Sequence, residues 1–218
     1  MLDSLNPLTQ QERYNRSGTF FGLYPGSGRP SYTSFLDVFM RNAQYARVSK
    51  HMITDLIQIR RLGEKNRDEN SRFRAYIKSH NFVERQFRHA AQDIHDQIDC
   101  RECAECCRVG EVELSDRDIE KLAHFMSLSI KDFKAQYVME GEDGDRILRR
   151  TEAGCVFLQG NECLVYEARP ANCERFPHVL RGAGSLQSRM WEMVDRATYC
   201  PIVYNWMEAV KGLTKFKR

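Results

Sequence analysis

Apolar positions recur at steps of three and four residues between residues 34 and 98, and this spacing predicts helices. One apolar series runs from Phe35 to Ile57 and ends near Gly63. A second series runs from Phe73 to Ile98, with charged residues off the apolar stripe. Because the polar link between them is short, residues 34–98 are predicted to form an antiparallel helical hairpin. An apolar stripe of this kind favours a core surface, or a docking surface for a protein partner, over a cofactor site.

Residues 1–33 lack this periodicity and are rich in Gly, Ser, Pro and Asn, which predicts an irregular N-terminal arm. Beyond residue 98 the elements become short. Ser115 and Ser129 each precede apolar residues at helical spacing. This pattern predicts two helices in sequence over about residues 116–138, each capped by its serine.

Two short apolar segments flank Gly160-Asn161 and predict one small β-hairpin. Pro201 opens a last predicted helix that ends near Lys215. The predicted fold class is therefore α+β, mainly α. It consists of the helical hairpin extension at residues 34–98 and a compact cysteine-rich metal-binding domain at residues 99–218 that contains the β-hairpin.

The composition excludes several classes of protein. Hydrophobic residues at 42% and charged residues at 29% are typical of a globular chain and not of a disordered or collagen-like one. No apolar segment is long enough to span a bilayer, and the first residues lack the basic and apolar regions of a secretory signal, so the expected location is cytoplasmic. Residues 1–98 hold 15 Lys and Arg against 10 Asp and Glu, whereas residues 99–218 hold 18 against 20. The acidic second half argues against nucleic acid as a partner.

All eight cysteines lie in the second half of the chain. Four stand within eight residues in the pattern CxxCxxCC, and four follow at wide spacings. A CxxC turn reverses the chain over four residues, so both sulfurs can face one ion. The distant cysteines would complete the ligand set as the chain folds. The candidate metal ligands are Cys100, Cys103, Cys106, Cys107, Cys155, Cys163, Cys173 and Cys200.

Disulfide bonds are the competing interpretation of an even number of cysteines. Against them stand the missing secretory signal, a chain large enough to fold without covalent links, and the adjacency of Cys106 and Cys107, which makes them poor disulfide partners. Burial of free thiols explains single cysteines and not a cluster. Because soft thiolates select zinc or iron-sulfur centres, metal ligation is the favoured interpretation.

The number of centres depends on Cys106 and Cys107. Adjacent side chains diverge both in a helix and in an extended chain, so these two should not easily bind the same tetrahedral ion. Two four-thiolate centres fit the count of eight, and so does one centre with a redox-active cysteine pair. Zinc and iron-sulfur clusters both accept four cysteines, so the metal stays open. His124 and His178 are expected at the surface.

Charged residues near the cysteines have two interpretations each. Arg169 and Arg175 flank Cys173, and a guanidinium could donate to a cluster sulfur. The favoured interpretation is that Arg169 locks a turn by donating to backbone carbonyls or to a carboxylate. Five acidic residues precede or interrupt the cluster and are typical of a solvated face, namely Asp93, Asp96, Asp99, Glu102 and Glu105.

The ordered cysteine series resembles the YkgJ-type cysteine-cluster family, which is known by the CxxCxxCC signature. The resemblance covers residues 100–200, about half of the chain. Beyond the four clustered cysteines it includes Cys155-x-Phe157-Leu158, then Cys163-x2-Tyr166-x2-Arg169-Pro170-x2-Cys173-x2-Phe176-Pro177, and the late Cys200. The resemblance implies that the cysteines chelate zinc or iron.

Some flagellin lysine methylases are similar in this cysteine motif. They suggest an alternative function, a metal-cluster-dependent protein methyltransferase that uses S-adenosylmethionine. No Gly-rich loop for that cofactor is recognisable in the sequence. The sequence does not decide whether the protein is an enzyme, and it does not name a substrate or a partner of the helical hairpin.

Overall fold

The computed structural model describes residues 52–182 and 184–217. In this part helices dominate and the strands form only short antiparallel pairs, which confirms the predicted α+β, mainly α class. The predicted arm at residues 1–33 and the start of the first predicted helix lie outside the described residues. Among the described helices, each is too short or too polar to cross a membrane.

From residue 52 onward, three helices precede the cysteine cluster: α1 at Leu56–Lys65, α2 at Arg67–Ser79 and α3 at Glu84–His95. The Asp55 side chain caps α1 by accepting a hydrogen bond from the Gln58 amide at 2.7 Å. Of the first predicted helix, residues 52–55 are not helical, and the helix that the structure describes begins at Leu56 and continues two residues beyond Gly63.

The prediction of one continuous helix from Phe73 to Ile98 is wrong, because α2 ends at Ser79. The ring Nδ1 of His80 bonds the Tyr76 carbonyl oxygen at 2.8 Å, which is the acceptor that the His80 amide would use in a continued helix. That amide donates to the Ile77 carbonyl instead, at 3.4 Å. The chain then runs in extended form before α3.

Seven further helices follow among the described residues. They are α4 at Cys100–Cys103, α5 at Glu105–Val109, α6 at Asp116–Phe125, α7 at Ile130–Tyr137, α8 at Ala171–Arg175, α9 at Met190–Arg196 and α10 at Pro201–Leu213. A short 3-10 helix spans Tyr166–Ala168. The predicted caps are confirmed, since Ser115 accepts from the Asp118 amide and Ser129 from the Asp132 amide. The sequence did not predict α4, α5, α8 and α9.

In the part of the chain that the structure describes, the strands form three pairs: β1 at Val138–Glu140 with β2 at Arg146–Leu148, β3 at Arg150–Thr151 with β4 at Gly154–Cys155, and β5 at Leu158–Gln159 with β6 at Glu162–Cys163. The predicted hairpin is confirmed as β5–β6, where Leu158 pairs with Cys163 around a turn at Gly160. It is shorter than predicted, because Cys155 pairs with Arg150 in a separate ladder.

The described residues bury two apolar clusters. The first, which we call the helical core, unites α2 and α3 with α9 and α10. At its centre Trp206 is fully buried and donates its indole N–H to the Phe87 carbonyl at 2.9 Å. This core crosses the predicted boundary between residues 98 and 99. The division into two domains stays a prediction.

The second cluster, which we call the hairpin core, lies between α6, α7 and the segment that carries β4 to β6. Its aromatic centre is formed by Phe133, Tyr137 and Phe157, with ring centroids 5.0 to 6.5 Å apart. Cys155 and Cys163 pack against this core, whereas Cys200 belongs to the helical core. Both cores therefore contact cysteines that are candidate metal ligands.

Candidate metal centre

The CxxCxxCC segment folds as two short helices joined by a sharp reversal. Asp99 caps α4 by accepting from the Arg101 amide at 2.8 Å. Ala104 is buried and takes a left-handed conformation with φ +49°, and its amide donates to the Cys100 carbonyl at 3.0 Å. This reversal separates Cys100 and Cys103 on α4 from Cys106 and Cys107 on α5.

Cys106 and Cys107 are in direct contact, with their Sγ atoms 3.9 Å apart. The hydrogen bond between the two thiols, aided by the charges of Arg108 and Arg169, lowers the pKa of Cys107 to about 7 against the effect of burial. The same bond and burial raise the pKa of Cys106. Of the adjacent pair, Cys107 therefore has the lower pKa.

Arg150 fastens α5 to the β3–β4 pair. Its guanidinium donates to the Arg108 carbonyl at 2.5 Å and to the Gly110 carbonyl. Gly154 faces the same backbone so closely that a Cβ there would lie 2.6 Å from the Cys107 carbonyl oxygen. Because Cys155 follows Gly154 on β4, this contact brings Cys155 to the side of α5 that holds Cys107.

Arg108 and Asn161 fasten the β5–β6 turn to the same segment. The Arg108 guanidinium donates to the Gly160 carbonyl at 3.1 Å and to the Asn161 side chain. The Asn161 amide in turn donates to the Glu102 carbonyl at 2.7 Å. These bonds hold the turn close to α4 and α5, and Cys163 follows it as the second residue of β6.

Helix α6 positions Cys173. Asp118 on α6 accepts from the Ala171 amide at 2.9 Å, at the start of α8. Lys121 donates to the Arg169 carbonyl at 2.9 Å and to the Glu174 carboxylate at 2.6 Å. The helix that carries Cys173 is thus held by a helix of the hairpin core.

Cys200 reaches the cluster from the helical core. It is 5% exposed, and its amide donates to the Arg196 carbonyl at 2.8 Å, just before α10 begins. Burial, together with the charges of Cys100 and Cys103, raises the pKa of Cys200 to about 12. These two α4 cysteines are therefore within electrostatic range of the buried thiol.

Six of the eight cysteines line one cleft of about 1400 Å³, and they come from four separate parts of the chain: Cys100, Cys106, Cys107, Cys155, Cys163 and Cys173. All eight are free thiols. Among the residues that the structure describes, no three Cys, His, Asp or Glu side chains stand at the mutual spacing of a metal site. Metal binding would thus require the thiols to turn toward one another.

The donor chemistry fits a thiophilic metal. Burial raises the pKa of Cys163 and of Cys173, the latter to about 12, and the Arg169 guanidinium opposes this rise at both. Burial likewise raises the pKa of Cys155, where Arg150 opposes it. Positive side chains at the cleft offset the charge of the thiolates, which a zinc ion or an iron-sulfur cluster needs as ligands.

Arg169 stabilises a turn by donating to a backbone carbonyl, which is the interpretation that the sequence favours. Its Nε donates to the Tyr166 carbonyl at 2.9 Å, and its guanidinium lies over the Tyr166 ring with 3.6 Å between Cζ and the ring centroid. Arg175 is exposed. The guanidinium of Arg169 is therefore held in place beside the thiols while it braces the backbone.

Two expectations about surrounding residues are wrong. Glu105 is not part of a solvated face: it is 7% exposed and pairs with Arg60 of α1 at 2.8 Å. His178 is half-buried, and burial together with the Arg196 charge lowers its pKa to about 4, whereas His124 is exposed as predicted. Sequence reasoning also missed Arg108 and Arg150, because their partners are backbone carbonyls that leave no sequence pattern.

Comparison with known protein families finds a match over the segment that carries the cysteines. Residues 99–201 match the family model CxxCxxCC, whose description is "Putative zinc- or iron-chelating domain". This description agrees with the predicted cofactor, zinc or an iron-sulfur cluster. No solved structure matches the chain. The match begins one residue before Cys100 and ends one residue after Cys200, so it spans every cysteine of the sequence. Residues 99–201 of this chain are therefore similar to the CxxCxxCC family of domains.

Proposed function

We propose that the protein chelates zinc or iron through its cysteine thiolates, with all eight cysteines as the ligand set. The observation that carries this proposal is the cleft, in which α4, α5, the β-hairpins and α8 together place six thiols. Burial of separate thiols does not require cysteines that are far apart in the sequence to converge on one cleft. Chelation of a shared thiophilic ion does require it.

The surrounding hydrogen bonds support the same function. Arg108, Arg150 and Asn161 donate mainly to main-chain carbonyls of the cysteine-bearing segments. Such bonds fix the backbone of ligand loops and leave the sulfurs free to bind metal, as the outer contacts of metal sites do. No observation on the described residues favours the methyltransferase alternative, which stays a prediction, as does the helical hairpin's docking of a protein partner.

The test is the content of zinc, iron and acid-labile sulfide per chain, after expression and purification without air. Zinc without sulfide is expected for a zinc protein, and iron with sulfide for an iron-sulfur protein. Replacement of His124 or His178 by Ala should leave the metal content unchanged, whereas Cys163→Ser should lower it. A chain that carries neither metal, and takes up neither when reduced and reconstituted, would overturn the proposal.

A further inference from the structure

The adjacent cysteines Cys106 and Cys107 are the pair whose thiols meet. Their Sγ atoms lie 3.9 Å apart, and both residues line the cleft. In the part of the chain that the structure describes, theirs is the one hydrogen bond between two cysteine thiols. Consecutive residues of an α-helix leave the axis about 100° apart, so adjacency predicts divergent sulfurs. The structure shows the two sulfurs in contact instead.

The separation of the two sulfurs fits ligands of one tetrahedral ion. Zinc–thiolate bonds are about 2.3 Å long, and the corners of a tetrahedron lie roughly 1.6 bond lengths apart, so two sulfurs on one ion are about 3.8 Å apart. The two Sγ atoms are separated by nearly this distance, 3.9 Å. One ion can therefore bind both sulfurs with little movement of either.

Contacts on both sides hold the backbone of this pair. The Ala104 carbonyl accepts from the Cys107 amide at 3.0 Å, and the Cys106 carbonyl accepts from the Gly110 amide at 2.9 Å. Gly154 lies so close that a Cβ there would be 2.6 Å from the Cys107 carbonyl oxygen. Because the backbone is fixed in the absence of an ion, binding through both sulfurs orders little more than the two side chains.

The same cleft supplies further ligands. Two cysteines in addition to the pair complete a tetrahedral thiolate site. Four others line the cleft, namely Cys100, Cys155, Cys163 and Cys173. The pair therefore lies where the remaining ligands can reach an ion that it holds.

We propose that Cys106 and Cys107 are a chelating pair, which binds one and the same zinc or iron ion through both sulfurs. This rests on the proposed function, that the cysteines chelate metal. It also selects among the kinds of centre. Four cysteines on a two-iron cluster give two per iron, whereas four cysteines on a four-iron cluster give one per iron. The pair thus fits a zinc ion, a single iron or a two-iron cluster, and not a four-iron cluster.

The first experiment compares full-length Cys106→Ser, Cys107→Ser and the double variant, each expressed and purified without air. If both sulfurs bind one ion, loss of either releases it, so all three variants should lack the same amount of zinc or iron per chain. The affinity for that ion should fall by more than about 100-fold, since loss of an outer contact alone costs roughly 10–100-fold. Val109→Ser, at an exposed position of the same helix, is the matched control and should retain the wild-type metal content.

The second experiment identifies the kind of centre in the wild-type chain. Metal and sulfide content together with Mössbauer spectroscopy should show zinc without sulfide, mononuclear iron or a two-iron cluster. A four-iron cluster that is lost from both single variants would overturn the chelating pair, because its cysteines bind different irons.

A third measurement needs no variant, and it decides the question if the serine variants lose their far-UV circular dichroism. A chelator removes metal from the wild-type chain in steps, and alkylation mapped by peptide mass spectrometry follows each thiol. Cys106 and Cys107 should become reactive at the same chelator concentration, because release of one ion exposes both. Loss of protection at different concentrations would overturn the pair.

The outcomes separate this inference from the proposed function. A wild-type chain that neither carries nor takes up metal would overturn the proposed function and the inference with it. A metal-loaded wild type whose double variant loses the sum of what the two single variants lose would overturn the chelating pair alone, since the two cysteines would then bind different ions.

Discussion

The Sγ atoms of Cys106 and Cys107 lie 3.9 Å apart, well beyond the length of about 2.05 Å that a disulfide bond requires. The pair is joined by a thiol hydrogen bond instead, and the other six cysteines are free as well. The two adjacent side chains thus contact each other, whereas their backbone carbonyls have different neighbours. The Cys107 carbonyl lies against Gly154, and the Cys106 carbonyl accepts from the Gly110 amide.

We expect the native chain to contain eight reduced cysteines. Thiol titration in denaturant, with a chelator present and under nitrogen, should count eight thiols with or without prior reductant. The physical reason is that none of the cysteines is placed at disulfide distance from another in the structure. A count that rises on reduction would show disulfides and contradict this expectation.

Replacement of Gly154 by Ala should disturb the contact between α5 and β4. The new Cβ would lie 2.6 Å from the Cys107 carbonyl oxygen and 2.7 Å from the Arg108 Cα, and φ at this position is +120°. We expect a cost of roughly 2–5 kcal/mol in the free energy of unfolding, measured by urea denaturation.

Gly160→Ala is the matched control for this variant. Gly160 also has a positive φ, +62°, but a Cβ there meets no atom within 4 Å. Only the left-handed conformation should cost stability, roughly 1–2 kcal/mol. Equal losses for the two variants would show that the α5–β4 contact is unimportant.

The two tryptophans offer a second matched pair. Trp206 is fully buried and donates to the Phe87 carbonyl, which joins α10 to α3 across the predicted domain boundary. Trp206→Ala should lower the free energy of unfolding by roughly 3–5 kcal/mol, through the cavity and the lost hydrogen bond.

Trp191 is 56% exposed, so Trp191→Ala should change the stability by no more than about 0.5 kcal/mol. Circular dichroism during urea denaturation measures both variants. If residues 56–95 and 201–213 share one core, Trp206→Ala should shift a single transition. Two separate transitions, only one of them shifted, would show that the helical hairpin folds alone.

The contrast between these helices and the cysteine segments shows what the sequence can predict. Ser115, Ser129 and the apolar spacing behind them are local signals, and the helices they predict are present. The end of α2 at Ser79 depends on a bond from the His80 ring to the Tyr76 carbonyl, which a periodic apolar stripe conceals. Local patterns thus predict elements better than their interruptions.

The same limit applies to the site. The spacing of the cysteines identifies the candidate ligands, because chelation requires many thiols. Their placement depends on Arg108 and Arg150, which donate to backbone carbonyls of residues distant in sequence. Carbonyl acceptors belong to every residue, so no side-chain pattern in the sequence distinguishes the ones that are used.

The capping box at the start of α6 should give the stability a specific dependence on pH. Asp118 is 8% exposed, and it accepts from the Ser115 hydroxyl and amide and from the Ala171 amide. Burial alone would raise the pKa of Asp118, but these bonds hold it below the ordinary value of 3.8. A carboxylate with a lowered pKa stabilises the fold above its unfolded pKa, and that contribution is lost as the pH falls through the folded value.

Asp118→Asn should therefore cost about 1–2 kcal/mol at pH 7, and the difference from the wild type should shrink below pH 4. Urea denaturation of both chains at each pH measures this difference. Asp132→Asn, at the exposed cap of α7, is the control and should cost less. A difference that stays constant down to pH 2 would contradict the role given to the Asp118 charge.

Arg169 should strengthen metal binding through its charge, without being a ligand. The guanidinium is fixed by the Tyr166 carbonyl and ring, and it opposes the rise that burial causes in the pKa of Cys163 and Cys173. Arg169→Gln removes this charge beside thiolates that a metal needs, and loss of such an outer contact costs roughly 10-fold or more in metal affinity. Competition with a chelator of known affinity measures the loss. Arg175→Gln is the control and should have no effect, since Arg175 is exposed. Arg169→Lys keeps the charge but loses the planar stacking, so it should retain more affinity than Arg169→Gln. If Lys and Gln are equally impaired, Arg169 serves the metal only by locking the turn before Pro170.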